Sequence, residues 1–129
     1  MLIGGVLLLA IAILWLFRKG DNGRKEALYK SLAALKTETS SSNPAEIRDL
    51  VIKLDTLLSN SFKYRYSNEL TCGENLKKAR PLFAAKLYNE VWKFHKLRNN
   101  VVHNNIDVKQ SEAKEMYSTY QKAISKILG

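Results

Sequence analysis

The sequence predicts an all-α protein, an up-and-down bundle of four principal helices plus a short one, preceded by an N-terminal transmembrane helix. Three observations carry this reading. Apolar residues recur at spacings of three and four along most of the chain, and no segment alternates with period two between turn signals. Polar residues with capping chemistry precede several of the periodic runs. Ahead of them, the first seventeen of the 129 residues, Met1 to Phe17, carry no charge.

Leu2 to Phe17 are apolar or glycine, and Arg18-Lys19 follow at once. A helix of that length rises about 25 Å, at the short end of what spans a bilayer. Trp15 stands near one end, where an interfacial aromatic belongs. A cleavable signal peptide is the competing reading, but no basic stretch precedes the apolar run and no small-x-small site follows it. The basic pair on the C-terminal flank places the rest of the chain in the cytoplasm. The expected protein is single-pass in the inner (cytoplasmic) membrane, with a cytoplasmic C-terminal domain. Its divisions are an anchor over 1–19, a juxtamembrane joint, first helix and linker over 20–42, and a helical domain over 43–129.

Gly20-Asp21-Asn22-Gly23 reads as a flexible joint. Leu28, Leu32 and Leu35 then predict a first helix over Arg24 to Lys36, and Thr37 to Ser42 form a polar linker without an apolar residue. Asn43, Pro44 and Glu46 have the chemistry of an N-cap, N1 and N3. From there Ile47, Leu50, Val51, Leu54, Leu57, Leu58 and Phe62 mark one face of a long second helix. Thr71-Cys72-Gly73-Glu74 is a second capping box, opening a short helix that Pro81 interrupts. A third long helix is expected over Leu82 to His103, ended by Asn104-Asn105 in the left-handed conformation. Asp107 and Gln110 restart a helix whose apolar face is Ala113, Met116, Tyr117, Tyr120, Ile124 and Ile127.

One cysteine, Cys72, excludes an internal disulfide and a cysteine-rich zinc site, and with two histidines in the chain neither a metal nor another cofactor is expected. The net charge is +9. With Arg18 and Lys19 set aside from the 21 basic residues, 19 remain against 12 acidic ones. Such an excess suits RNA or an anionic membrane surface, although a lysine-rich solvated surface would look the same.

Candidate chemistry concentrates in Arg98-Asn99-Asn100-Val101-Val102-His103. Arginine can clamp a phosphate with a planar fork of donors, and histidine moves protons near neutral pH. On a helical wheel of about 100° per residue, Leu87, Val91, Phe94, Val101 and Val102 form a core stripe with Arg98 near its middle. Tyr88, Trp92, His95, Asn99 and His103 form a second stripe, suited to RNA contact or to a homodimer seam. Arginine in a core stripe needs a partner, and Asp55 on the second helix is the candidate support. Arg98 could therefore be a purely structural residue. His103 falls in the last helical turn, where the backbone dipole favours the protonated ring. Arg98 and His103 are about 140° apart on one helix, so two copies of it around a two-fold axis would bring both kinds of side chain to one cleft.

From Asn43 to Leu128 the chain resembles a HEPN domain (higher eukaryotes and prokaryotes nucleotide-binding). The resemblance lies in the amphipathic helix through Asp55, the helix start Thr71-Cys72-Gly73-Glu74-Asn75-Leu76, and Leu97-Arg98-Asn99-Asn100-Val101-Val102-His103-Asn104. The family's signature is an arginine, usually followed by a polar residue, and a histidine four to six residues beyond. The resemblance implies metal-independent endoribonuclease activity on single-stranded RNA at a composite homodimer site, leaving a 2′,3′-cyclic phosphate and a 5′-hydroxyl. It gives Arg98 the role of stabilising charge on the phosphate, Asn99 an orienting role and His103 the proton transfers. It also implies a toxin, phage-defence or RNA-processing role, with an antitoxin or regulatory protein as a further partner. A membrane anchor is no part of the family pattern. Members without activity exist, so a tethered, non-catalytic module for dimerisation or for RNA or nucleotide binding is the alternative, and a plain helical adaptor is a third.

Overall fold

The computed structural model describes residues 23–129. The expected membrane helix over Leu2–Phe17, and with it the anchor division, lies outside the described residues. Among the described residues there is no strand, and no helix is long and apolar enough to cross a membrane. The fold is all-helical, and its helices pack as a bundle. Residues 23–35 form α1, followed by a 3₁₀ turn at Lys36–Ser40. The other helices are α2 (Pro44–Tyr66), α3 (Cys72–Lys78), α4 (Ala85–Asn104) and α5 (Gln110–Leu128).

The capping signals act where the sequence places them. Asn43 Oδ1 accepts from the amides of Ala45 and Glu46 at 2.9 and 3.3 Å, satisfying two donors that have no partner within α2. Thr71 Oγ1 accepts from the Glu74 amide at 3.2 Å and opens α3. Three boundaries differ from expectation. Most of the linker over Thr37–Ser42 is 3₁₀ rather than irregular. Pro81 turns Arg80–Leu82 into a separate 3₁₀ piece, so α4 begins at Ala85. The last helix begins at Gln110, not Asp107, because Glu112 Oε1 takes up the Lys109 amide at 3.3 Å. Asn105 adopts φ 51°, ψ 41°, the left-handed conformation that ends α4.

The most extensive interface joins α2 to α5. Leu50, Val51, Leu54, Leu58 and Phe62 of α2 meet Met116, Tyr120, Ala123, Ile124 and Ile127 of α5, all of them buried. Val91 and Phe94 of α4 and Leu76 of α3 complete this core. Fully burying each large side chain contributes about 1.5–3 kcal/mol. Val102, expected in the core stripe, is 41% exposed, since in the last turn of α4 only Val101 stays against the core. Polar contacts fix the ends: Arg48 donates to Val101 O at 3.0 Å and to Asn105, and Arg65 donates to Ile127 O at 3.0 Å. Asn68 of the α2–α3 loop and the buried Asn75 of α3 exchange amide hydrogen bonds of 2.8 and 3.0 Å. This arrangement holds the start of α3 beside α2, where the polar cluster lies.

Candidate functional site

Asp55 stands on the buried face of α2, one turn from both Val51 and Leu58, and its side chain is 4% exposed. A carboxylate that deep needs partners. Two helices bring it hydrogen-bond donors and a counter-charge. Tyr120 of α5 donates its hydroxyl to Oδ1 at 2.7 Å. His95 of α4 places Nδ1 3.1 Å from both carboxylate oxygens. Arg98, one turn further along α4, places Nε 3.7 Å from Oδ2, an ion pair too long for a hydrogen bond. Because a carboxylate only accepts, the shared proton belongs to His95 Nδ1, and Nε2 is the ring nitrogen left to act. Burial, and after it the charge of Asp55, holds the Tyr120 hydroxyl proton in place by raising its pKa well above the phenolic norm.

The expected support of Arg98 by Asp55 is thus present as an ion pair. Arg98 also donates from Nη1 to Asn99 Oδ1 at 3.0 Å, while its buried Nε has no hydrogen-bond partner among the described residues. The side chain remains 31% exposed. Arg98 and Asn99 line a cleft of about 460 Å³ together with Asp55, His95, Cys72 and Gly73. Lys63, Ser59, Asn60 and Thr71 add a cation, hydroxyls and an amide to its wall. The arrangement suits an anionic, hydrogen-bonding ligand.

His95 departs from expectation. Instead of standing on the surface as the second stripe suggests, its residue is only 8% exposed, held inward by the bond to Asp55. Trp92 packs edge-on against the His95 ring, with centroids 5.8 Å apart, and Tyr88 against Trp92 at 6.3 Å. Tyr88 and Trp92 are half-buried; Trp92 lines a shallow surface depression with Asn89, Lys93 and Lys96. His103 is exposed in the last turn of α4, with no side-chain hydrogen bond among the described residues, and is not part of the cleft wall. Within one chain, therefore, Arg98, Asn99 and His95 come together, and His103 stands apart.

Cys72, which the sequence marks only as part of the capping box that opens α3, lies in the cleft. Burial first, then the charge of Asp55, raises its thiol pKa far above the cysteine norm, with Arg98 opposing. A thiol held in that form is no nucleophile near neutral pH. Asp55, Cys72 and His95 also offer ligating atoms within 4.8 Å of one another, a set that zinc could use. A cation there would compete with the Arg98 guanidinium for the same carboxylate and would require the thiol to ionise.

Tyr120 and Gly73 escape a sequence reading. The signal for Tyr120 is a phenol on the apolar face of α5, where a buried hydroxyl must find an acceptor. Gly73 carries no such signal. No protein-family model, curated protein or solved structure matches the chain.

Proposed function

We propose that the protein is a membrane-anchored, metal-independent endoribonuclease that cleaves single-stranded RNA at a composite homodimer site. The observation that carries this reading is Arg98: a guanidinium fixed in an open polar cleft by Asp55 and Asn99, with most of its five donors left for a ligand. Poised there, it stabilises the negative charge that grows on a phosphate during in-line attack. Asn99 orients that guanidinium. His103, one turn beyond and exposed, supplies proton transfer to a site completed by a second copy, with Tyr88 and Trp92 of α4 contributing to the seam. The basic surface holds the RNA, and Leu2–Phe17 tether the domain to the inner membrane on its cytoplasmic side. In a cell such an activity suits a toxin, a phage-defence effector or an RNA-processing factor, kept in check by a partner protein.

The test is cleavage of single-stranded RNA by the full chain in mild detergent with EDTA present, beside Arg98→Ala and His103→Ala. The expected outcome is cyclic-phosphate ends from the parent alone, with both variants folded. The buried Asp55 network favours a second reading, a non-catalytic tethered module in which Arg98 is structural. In that case the parent leaves every RNA intact, and Arg98→Ala lowers stability by removing one partner of a buried pair.

A further inference from the structure

Transesterification of RNA requires one proton to leave the 2′-hydroxyl and another to reach the departing 5′-oxygen. The proposed function gives both tasks to His103. Within a chain, however, His103 is outside the cleft that holds Arg98, whereas His95 is inside it. The chain has two histidines in all, and they occupy opposite environments. His95 is bonded through Nδ1 to Asp55 at 3.1 Å, and Asp55 is itself fixed by the Tyr120 hydroxyl at 2.7 Å. A carboxylate on one ring nitrogen fixes the tautomer and leaves the other nitrogen as the one that can accept a proton. That other nitrogen, Nε2, faces the N-terminal turn of α3. A methyl built on Gly73 would stand 3.7 Å from it, so the absent side chain leaves room beside the nitrogen. His103 has the reverse setting, an exposed ring in the last turn of α4, outside the cleft wall and with no carboxylate bonded to it among the described residues.

We propose that His95 is a second catalytic histidine of this site, the general base for the 2′-hydroxyl, and that the partner's His103 is the general acid. The inference rests on the ribonuclease reading and divides its proton transfers between two residues. The 2′-hydroxyl proton passes to His95 Nε2 as the 2′-oxygen bonds to phosphorus. Arg98 stabilises the charge on the phosphoryl oxygens, and the bond from phosphorus to the 5′-oxygen breaks as that oxygen takes a proton from the imidazolium. The products are a 2′,3′-cyclic phosphate and a 5′-hydroxyl. Solvent then returns the proton from His95 to His103, so no other reactant is needed. The substrate must carry a 2′-hydroxyl, which restricts it to RNA.

The experiment is the pH–rate profile of the full chain on a short single-stranded RNA with EDTA, beside His95→Gln, His103→Ala and Gly73→Ala. His95 is faced by Asp55 from α2, Cys72 from α3, Arg98 from its own helix and, through Asp55, by Tyr120 from α5. None of these supplies a second proton acceptor at the free nitrogen. The parent is expected to give a bell. His95→Gln should lose at least about 100-fold in kcat together with the acid limb, and His103→Ala should lose the alkaline limb. An RNA whose 5′-oxygen is replaced by sulfur has a leaving group that needs no proton. It should rescue His103→Ala and leave His95→Gln inactive.

Gly73→Ala keeps both histidines and an ordinary helical backbone. It should fold normally yet lose about tenfold or more in rate, because the methyl occupies the space beside Nε2 that the 2′-hydroxyl needs. It decides the matter should His95→Gln melt early. Cleavage by a parent whose acid limb survives in His95→Gln, or a Gly73→Ala protein as fast as the parent, would overturn this assignment while leaving the ribonuclease reading intact. A parent inert at every pH would overturn both.

Discussion

At the scale of single residues, the energetics turn on Asp55. A carboxylate in a helical core is tolerated because a phenol, an imidazole and a guanidinium converge on it. Removing one hydrogen bond to a charged, buried acceptor costs about 1.5–3 kcal/mol. Tyr120→Phe, which deletes only the hydroxyl, should lose stability in that range by urea unfolding with an unchanged m-value. A loss below about 0.5 kcal/mol would mean that the hydroxyl does not hold the carboxylate. Cys72 gives a pH prediction. Its thiol pKa is raised in the fold, while the unfolded chain ionises near the ordinary value of 9.0. Any stability linked to this group is therefore intact below that pH and falls as pH rises through it. The parent should lose stability relative to Cys72→Ala between neutral pH and strongly alkaline conditions, and native Cys72 should alkylate far more slowly than the denatured chain at pH about 8. Asp55 as the partner of Arg98 was legible in the sequence, because both fall on apolar stripes and must find each other. Cys72 and His95 as its neighbours were not, since contact between α2, α3 and α4 is a matter of rotation and depth that periodicity leaves open.

At the scale of elements, capping signals placed the start of α2 and α3 correctly because they are local chemistry: a side-chain oxygen two or three residues from an unpaired amide. Asn43→Ala should accordingly cost about 1 kcal/mol in thermal or urea unfolding, whereas Asn43→Asp should be nearly neutral. Misplaced boundaries arose where the signal was ambiguous. Asp107 and Lys109 both precede a carboxylate or amide at helical spacing, and the amide of Lys109 reaches Glu112. The rotation of α4 shows the limit of the wheel. Val102 and His95 lie on neighbouring radial positions, yet His95 points inward and Val102 outward. The carboxylate of Asp55 takes His95, while α4 is by then in its last turn, where Val101 alone is buried. This same rotation divides the two histidines, placing one in the cleft and one beyond it.

At the scale of the whole molecule, an excess of basic residues makes any affinity of the proposed site for RNA a question of counterions. Should Arg98, Lys63, Lys93 and Lys96 each meet one phosphate, the slope of log affinity against log salt would be about −3, at roughly −0.7 per contact for a single strand. Lys96→Ala should make that slope shallower by about 0.7 in a fluorescence titration, and an unchanged slope would remove Lys96 from the RNA path. Assembly is tested by mixing two inactive proteins. Were one site built from Arg98 of one copy and His103 of the other, an Arg98→Ala chain paired with a His103→Ala chain would contain one intact site and one site lacking both groups. Random exchange makes half of the dimers mixed, so the mixture should recover about a quarter of the parental activity. A site built within each chain gives no recovery, because every site in the mixture then lacks one residue. The position of His103 outside its own chain's cleft argues for recovery. Its absence, with subunit exchange verified by differently tagged copies, would place the whole of the chemistry on one chain and leave His95 as the histidine within reach of Arg98.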